Sequence, residues 1–256
     1  MSEQEKPSRR KFLKGAALAA GGAALSGCGD AASRNKAVQK TLASADAVNN
    51  PLQHFLAGKN GLAREFSEKD ISPVFRANGS VNPRDAEYRG HALEGFENWR
   101  VTVDGLVDNA LDLSLADLRA FPSRTQITRH DCVEGWSCIG KWKGARLSAI
   151  LDAARPKREA KFAVFHCADT LGSSRYYESV SLPDARHEQT ILAYEMNDAP
   201  LDIPHGAPVR LRVERMLGYK HAKYVTRVEL ASSLETFGRG KGGYWEDRGY
   251  AWYAGI

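Results

Sequence analysis

The stretch Thr128-Arg129-His130-Asp131-Cys132-Val133-Glu134-Gly135-Trp136-Ser137-Cys138-Ile139-Gly140-Lys141-Trp142-Lys143-Gly144 sets one cysteine between an extended segment and a turn. Thr125 to Val133 is rich in β-forming residues, so Cys132 falls where a strand ends. His130, Asp131, Glu134, Trp136 and Trp142 stand within a few residues of it. Thiolates are the ligands that soft, redox-active metals select, and nearby cationic or hydrogen-bonding groups favour thiolate over thiol. Taken alone, a cysteine is more often packing, because buried cysteine is common in protein cores.

Working outward, Arg146 to Ala154 reads as a helix with Leu147, Ile150 and Leu151 on one face. Phe162 to Cys167 is a strand short enough to be buried on both sides, and Arg175 to Leu182 is another. Upstream, Pro73 to Gly79 is an extended piece ending in a glycine turn. Trp99 to Val103 alternates as a half-buried strand does, and Asp104-Gly105 turns the chain. Leu111 and Leu113 continue the alternation; Ser114 then caps a short helix over Leu115 to Ala120, which Pro122 stops. Short strands, few short helices and frequent Gly and Pro predict a single α+β domain, predominantly β, over residues 71–237. No G-x-G-x-x-G or Walker sequence appears, which argues against a nucleotide enzyme.

In the segment Pro204-His205-Gly206-Ala207-Pro208-Val209-Arg210-Leu211-Arg212-Val213 the apolar residues share a core face and Arg210 and Arg212 share the other. Leu217 to Tyr224 adds a glycine turn with Lys220 and Lys223. Guanidinium, ammonium and free backbone N–H groups together suit a phosphate, although a solvated polar face fits the same residues.

The chain has 256 residues, 36 Lys+Arg against 31 Asp+Glu, and a formal net charge of +5. Lys6, Arg9, Arg10, Lys11 and Lys14 outweigh Glu3 and Glu5 in the first 27 residues and supply more than half of that excess. The remainder is close to neutral, so charge points to no nucleic-acid partner. Residues 1–28 read as a twin-arginine export signal: Ser8-Arg9-Arg10-Lys11-Phe12-Leu13-Lys14, then an apolar run too short to span a membrane. Leu25-Ser26-Gly27-Cys28 resembles a lipobox, in which Cys28 carries a lipid anchor; an ordinary cleavage site is the alternative. The expected location is the periplasm or the outer face of a bacterial membrane. Residues 29–70 read as a flexible tether with one short helix around Pro51 to Leu56. Residues 238–256, rich in aromatics, read as a tail packed on the domain or on a partner. Beyond Cys28 the chain has Cys132, Cys138 and Cys167, an odd number that leaves at least one thiol outside any disulfide. No C-x-x-C-H is present, so no c-type haem is attached to this chain.

Asn78 before a turn, Cys132-Val133-Glu134-x-Trp136-Ser137, His205-Gly-Ala-Pro-Val-Arg210 and Gly218-Tyr219-Lys220-x-x-Lys223, in that order, resemble the molybdopterin-binding domain of the sulfite oxidase superfamily. The bacterial exported branch that includes the periplasmic methionine sulfoxide reductase catalytic subunit is the most similar. The resemblance implies a predominantly β fold and one molybdenum held by a cysteine thiolate and a single molybdopterin. It makes Cys132 the metal ligand. Asn78, Cys167, His205, Arg210, His221, Ala222 and Lys223 become cofactor-binding residues, with His130, Glu134, Trp136 and Arg175 around the reacting centre. His205 stands where that branch has Asn, Cys167 where it has Thr, and the Tyr-Glu pair after the asparagine is missing.

The implied activity is two-electron oxygen-atom transfer on an S- or N-oxide or a sulfite-like substrate, with the chemistry residing in the cofactor. Arg175 is the expected contact for an oxyanion substrate. Electrons pass to or from a separate protein, a membrane b-type cytochrome or a soluble cytochrome, with the aromatic tail as a docking element. Two alternatives remain at this level: a surface lipoprotein without catalysis, and a phosphate-ligand binder using Arg210 and Lys223.

Overall fold

The computed structural model describes residues 61–256. Within them the short β-rich runs form two five-stranded sheets. The first has the order β2 (Leu111–Ser114), β1 (Arg100–Gly105), β10 (Val225–Ala231), β5 (Phe162–Leu171), β6 (Ser174–Ser181). The second runs β3 (Ser123–Asp131), β4 (Ser137–Arg146), β7 (Thr190–Met196), β8 (Ala199–Pro200), with β9 (Arg210–Val213) also on β7. All pairings are antiparallel except β1 with β10, which joins the two ends of the domain side by side. Four short helices decorate the sheets: α1 (Ala86–Leu93), α2 (Leu115–Ala120), α3 (Leu147–Ala154) and α4 (Leu182–Ala185). The predominantly β, single-domain expectation holds.

Local signals act as read. Ser114 accepts from the Asp117 amide and Asp117 answers with the Ser114 amide, a reciprocal cap that starts α2. Val101 and Val103 alternate into the core from β1, and α3 buries Leu147, Ile150 and Leu151. The strand expected to end at Cys167 continues to Leu171.

One arrangement differs from expectation, and two alternatives left open by the sequence are decided. β9 is buried on both faces, so Arg210 and Arg212 are 1% and 0% exposed and not solvated. Leu211 enters the main core. The two arginines lie over the Trp142 ring, at 5.0 and 4.2 Å from its centroid. Residues 61–70, expected within the tether, lie against β3: Phe66 N–H donates to Ile127 and Glu65 bridges Thr128. The end of the chain packs on the domain itself, with Tyr244, Glu246, Tyr253 and Ala254 buried. The twin-arginine motif, Cys28 and the Pro51–Leu56 helix lie outside the described residues. Among the described residues no helix is long and apolar enough to cross a membrane.

Candidate functional site

β3 and β4 pair without interruption from Ser123↔Ala145 to Asp131↔Ser137, so residues 132–136 are the hairpin tip. The Cys132 N–H donates to Trp136 O at 2.9 Å, and Gly135, at φ 85°, returns its N–H to Cys132 O at 3.0 Å. Cys132, on this fixed tip, lines a cavity of about 130 Å³. Asn78, Ser80, Glu134, Asp169, His221 and Lys223 contribute polar groups to its walls; Val133, Leu171, Tyr176, Tyr219, Trp245 and Tyr250 contribute apolar ones. Burial pushes the Cys132 thiol up, against hydrogen bonds from the Glu134 and Val133 amides and the Asn78 side chain, which favour the thiolate.

Behind the thiol sits a buried polar layer. Arg212 is paired with Glu214 at 2.5 Å and donates from Nη1 to His130 Nδ1 at 3.0 Å. Arginine cannot accept, so His130 carries its ring proton on Nε2, the atom 3.5 Å from the Asn78 amide. Burial, then Arg212, Arg210 and Lys223, hold His130 well below the usual histidine range, and it is neutral at pH 7. A Cβ on Gly218 would meet His130 Nε2 at 2.5 Å, so only glycine lets the 218–220 turn lie on this ring. His221 donates from Nε2 to Met216 O at 3.0 Å, which leaves Nδ1 as a buried lone pair without a partner. Arg210 donates to the carbonyls of His205 and His221, while its Nε has no partner. Burial and the adjacent Arg212 bring Arg210 down to about 9.

Lys223 Nζ donates to the carbonyls of Asn78, Ser80 and Pro204, and burial lowers it to about 7. All three of its hydrogens are committed, so Lys223 positions the Asn78–Ser80 segment. The Ala222 N–H is likewise spent on Lys220 O.

Not every expected residue reaches this cavity. Glu134 lies at its exposed rim, accepting from Trp136 Nε1 at 3.0 Å. His205 is held outside, between Asp202 and the Phe75 carbonyl. Arg175 is turned toward Asp85 and the Ala168 carbonyl, in a second cavity of about 410 Å³ that shares Tyr176 with the first. Cys167, fully buried, contributes to that second cavity; burial pushes its thiol well above the ordinary range. Cys132, Cys138 and Cys167 are all free, which answers the question of a bridge. The sequence reading missed Asp169, a buried acid near the end of β5 that lines the same cavity as Cys132.

Residues 90–236 match the family model described as the oxidoreductase molybdopterin binding domain. The chain belongs to that family. It is a molybdopterin-dependent oxidoreductase of sulfite oxidase type. The subunit YedZ1 of Azospira oryzae, whose name assigns it to a protein-methionine-sulfoxide reductase, is 36% identical over 98% of this chain and 89% of its own length. The protein-methionine-sulfoxide reductase catalytic subunit MsrP of Campylobacter jejuni is 32% identical over 52% of this chain and 49% of its own. The uncharacterised oxidoreductase YuiH of Bacillus subtilis is 30% identical over 61% and 74%. Among solved structures, the sulfane dehydrogenase SoxCD of Paracoccus pantotrophus has 25% identity and a TM-score of 0.49, covering 54% of this chain and 39% of its own.

The residues present fit a thiolate-bound metal carried by an anionic cofactor. Arg210, Arg212 and Lys223 are buried together, and Arg212–Glu214 is the one ion pair among them in the described residues. An anion beside them would relieve the repulsion that lowers Arg210. Arg210 Nε offers a free donor and His221 Nδ1 a free acceptor, both already stripped of water. Among the described residues no group of three or more His, Cys, Asp or Glu could hold a metal, so Cys132 would be its sole side-chain ligand of these kinds.

Proposed function

We propose that this protein reduces S-oxides, with methionine sulfoxide the leading substrate, and that it works outside the cytoplasm with electrons from a separate cytochrome. The observation that carries the reading is the wall of the Cys132 cavity. It is apolar and aromatic at the mouth, and the arginine expected to meet an oxyanion lines the second cavity instead. A sulfite dianion needs forked cationic donors, and Lys223, the cation that lines the cavity, has spent its hydrogens on carbonyls. A thioether or sulfoxide side chain suits Val133, Leu171, Trp245 and Tyr250, since sulfur packs well on aromatic rings. The names of two relatives, both methionine-sulfoxide reductase subunits, support the same substrate class and a second subunit as electron source.

In this reading Cys132 holds the molybdenum, Asn78 and the Val133 and Glu134 amides tune the thiolate, and Arg210 and His221 grip the cofactor. When bound, the cofactor supplies two-electron chemistry. The leader at residues 1–28 directs folded export, and Cys28 anchors the product by lipid.

The test is metal analysis of protein purified from a molybdenum-replete host, followed by turnover with a reduced artificial electron donor. Near-stoichiometric molybdenum, lost in Cys132→Ser, is expected, with donor oxidation driven by methionine sulfoxide and no reduction of an artificial acceptor by sulfite. A metal-free protein with intact Cys132 refutes the reading.

A further inference from the structure

Between the pairs His166↔Tyr177 and Thr170↔Arg175, β5 carries residues 167–169 opposite Tyr176 alone. The surplus makes a bulge, and bulges re-aim side chains. Here it turns Asp169 away from the sheet and into the wall of the Cys132 cavity. Asp169 is 3% exposed, and its Oδ1 is buried with no hydrogen-bond partner. A carboxylate in that setting is expensive unless it is protonated or paired. The groups acting on it are Lys223 from the turn before β10, Asp85 at the start of α1, and Arg175 on β6. Burial first, with ionised Asp169 a lesser cause, raises Tyr88, Tyr176, Tyr224 and Cys167, so the tyrosines around it stay neutral. Burial outweighs Lys223 and Arg175 and brings the Asp169 carboxyl up to about 7.

We propose that Asp169 is the proton donor of this cavity, delivering a proton to the oxygen that leaves the substrate. The inference rests on the S-oxide reading above. Removing oxygen from a sulfoxide breaks one sulfur–oxygen bond, forms two O–H bonds of water, and consumes two protons and two electrons. The electrons come from the cytochrome-class carrier, and sulfur is reduced by two. Asp169 gives one proton and recovers it from solvent at the cavity mouth; the second comes directly from water there. The other titratable groups on the wall are committed or peripheral: His221 is neutral with a bare Nδ1, the Lys223 hydrogens are tied to carbonyls, Tyr176 and Tyr219 donate to the Tyr219 and Ala251 carbonyls, and Glu134 and Tyr250 lie at the exposed rim.

Asp169→Asn keeps shape and removes the proton, and Asp169→Glu returns it. With the molybdenum-loaded protein and methionine sulfoxide, wild-type kcat falls as pH rises through neutrality. Asp169→Asn lowers kcat ~10²-fold or more at pH 6 and flattens that limb, with KM changed only a few-fold, and Asp169→Glu restores part of both. A second readout needs no turnover: infrared difference spectra across a pH jump show a carboxylic acid band titrating near neutrality in the wild type and absent from Asp169→Asn. If the wild type holds molybdenum and reduces the sulfoxide while Asp169→Asn matches its rate and pH profile, this inference alone is overturned. Absence of the titrating band overturns it too. A wild type that binds no molybdenum or leaves the sulfoxide untouched overturns the functional reading together with it.

Discussion

Two buried charged clusters adjoin segments that line the Cys132 cavity, and they are built on opposite plans. Around Lys220 the charges answer one another: its Nζ meets Glu178 and Glu246, each at 2.5 Å, and all three side chains are 0–1% exposed. Burial, with Glu246 beside it, pushes Glu178 well above the carboxylate range despite Lys220. The pair of acids therefore keeps a proton and the group is neutral. It ties the C-terminal segment to β6 and to the 218–220 turn; Glu178 Oε2 and Glu246 Oε2 lack a partner, but the charges balance within the group. Around Arg210 the charges are in excess, with Arg212, Lys223 and two histidines near it and only Glu214 in reply. Burial of unpaired charge is tolerated where something else completes it. The first cluster is a clasp and the second is a socket.

Substitutions that remove one member from each cluster separate these roles most sharply. Lys220→Met leaves two acids buried without their cation and costs about 3–5 kcal/mol in denaturant unfolding. Its Glu246-bearing tail becomes the first site of proteolysis, while whatever folds retains molybdenum. Arg210→Met removes a surplus cation and is milder for the cofactor-free protein, at about 1–2 kcal/mol for the two carbonyls that lose a donor. Its penalty appears in cofactor retention, expected to weaken ~10–100-fold, read as molybdenum content after gel filtration. Equal stability losses in the two variants would erase the distinction.

The clusters also respond to pH with opposite sign. His221 is held well below the usual histidine value by burial, then Arg212, His130 and Arg210. The unfolded chain takes up its proton near pH 6.5 and the folded chain does not, so stability falls as pH drops below that point. The loss deepens toward pH 5, and His221→Gln removes this residue's share of it while that of His130 stays. Glu178, raised on folding, binds its proton more tightly in the native state. It contributes stability below the unfolded value of 4.5 that is lost as pH climbs toward its folded value. Denaturant melts of the wild type and His221→Gln from pH 5 to 8 test the first slope. The smallest effect is expected at the mouth. Tyr250, 41% exposed, walls the cavity but carries no charge. Tyr250→Ala should raise KM for methionine sulfoxide a few-fold, with stability changed by less than about 1 kcal/mol and molybdenum content unchanged.

Much of this was readable beforehand, and the reasons are local. A serine followed three residues later by aspartate starts α2 wherever it occurs, and alternation in Arg100–Gly105 makes a half-buried strand. Cys132 at the end of a strand, before a glycine turn, followed from β-formers and Gly135; the return strand β4 that makes this a hairpin was not read, because Ser137–Arg146 shows its pairing only against β3. Asp169 was hidden because its position depends on register. Phe162 to Cys167 looked complete as a strand, and the bulge that re-aims the acid exists only against Tyr177 and Arg175 across the ladder. Arg175 and His205 illustrate the converse. Their residue types suit an oxyanion or a pterin, yet Asp85 and the Phe75 carbonyl claim them first.

The sequence alone determined the element types, the order of the motifs and the cysteine that marks the site, since propensity, capping and turn chemistry act over a few residues. Tertiary structure decided which charges are satisfied and which stay open. Pairing across two sheets brings β9, the 218–220 turn and the 167–169 bulge together from distant parts of the chain. Only in that enclosure, with water excluded, do Arg210 Nε, His221 Nδ1 and Asp169 Oδ1 become buried polar atoms without a partner.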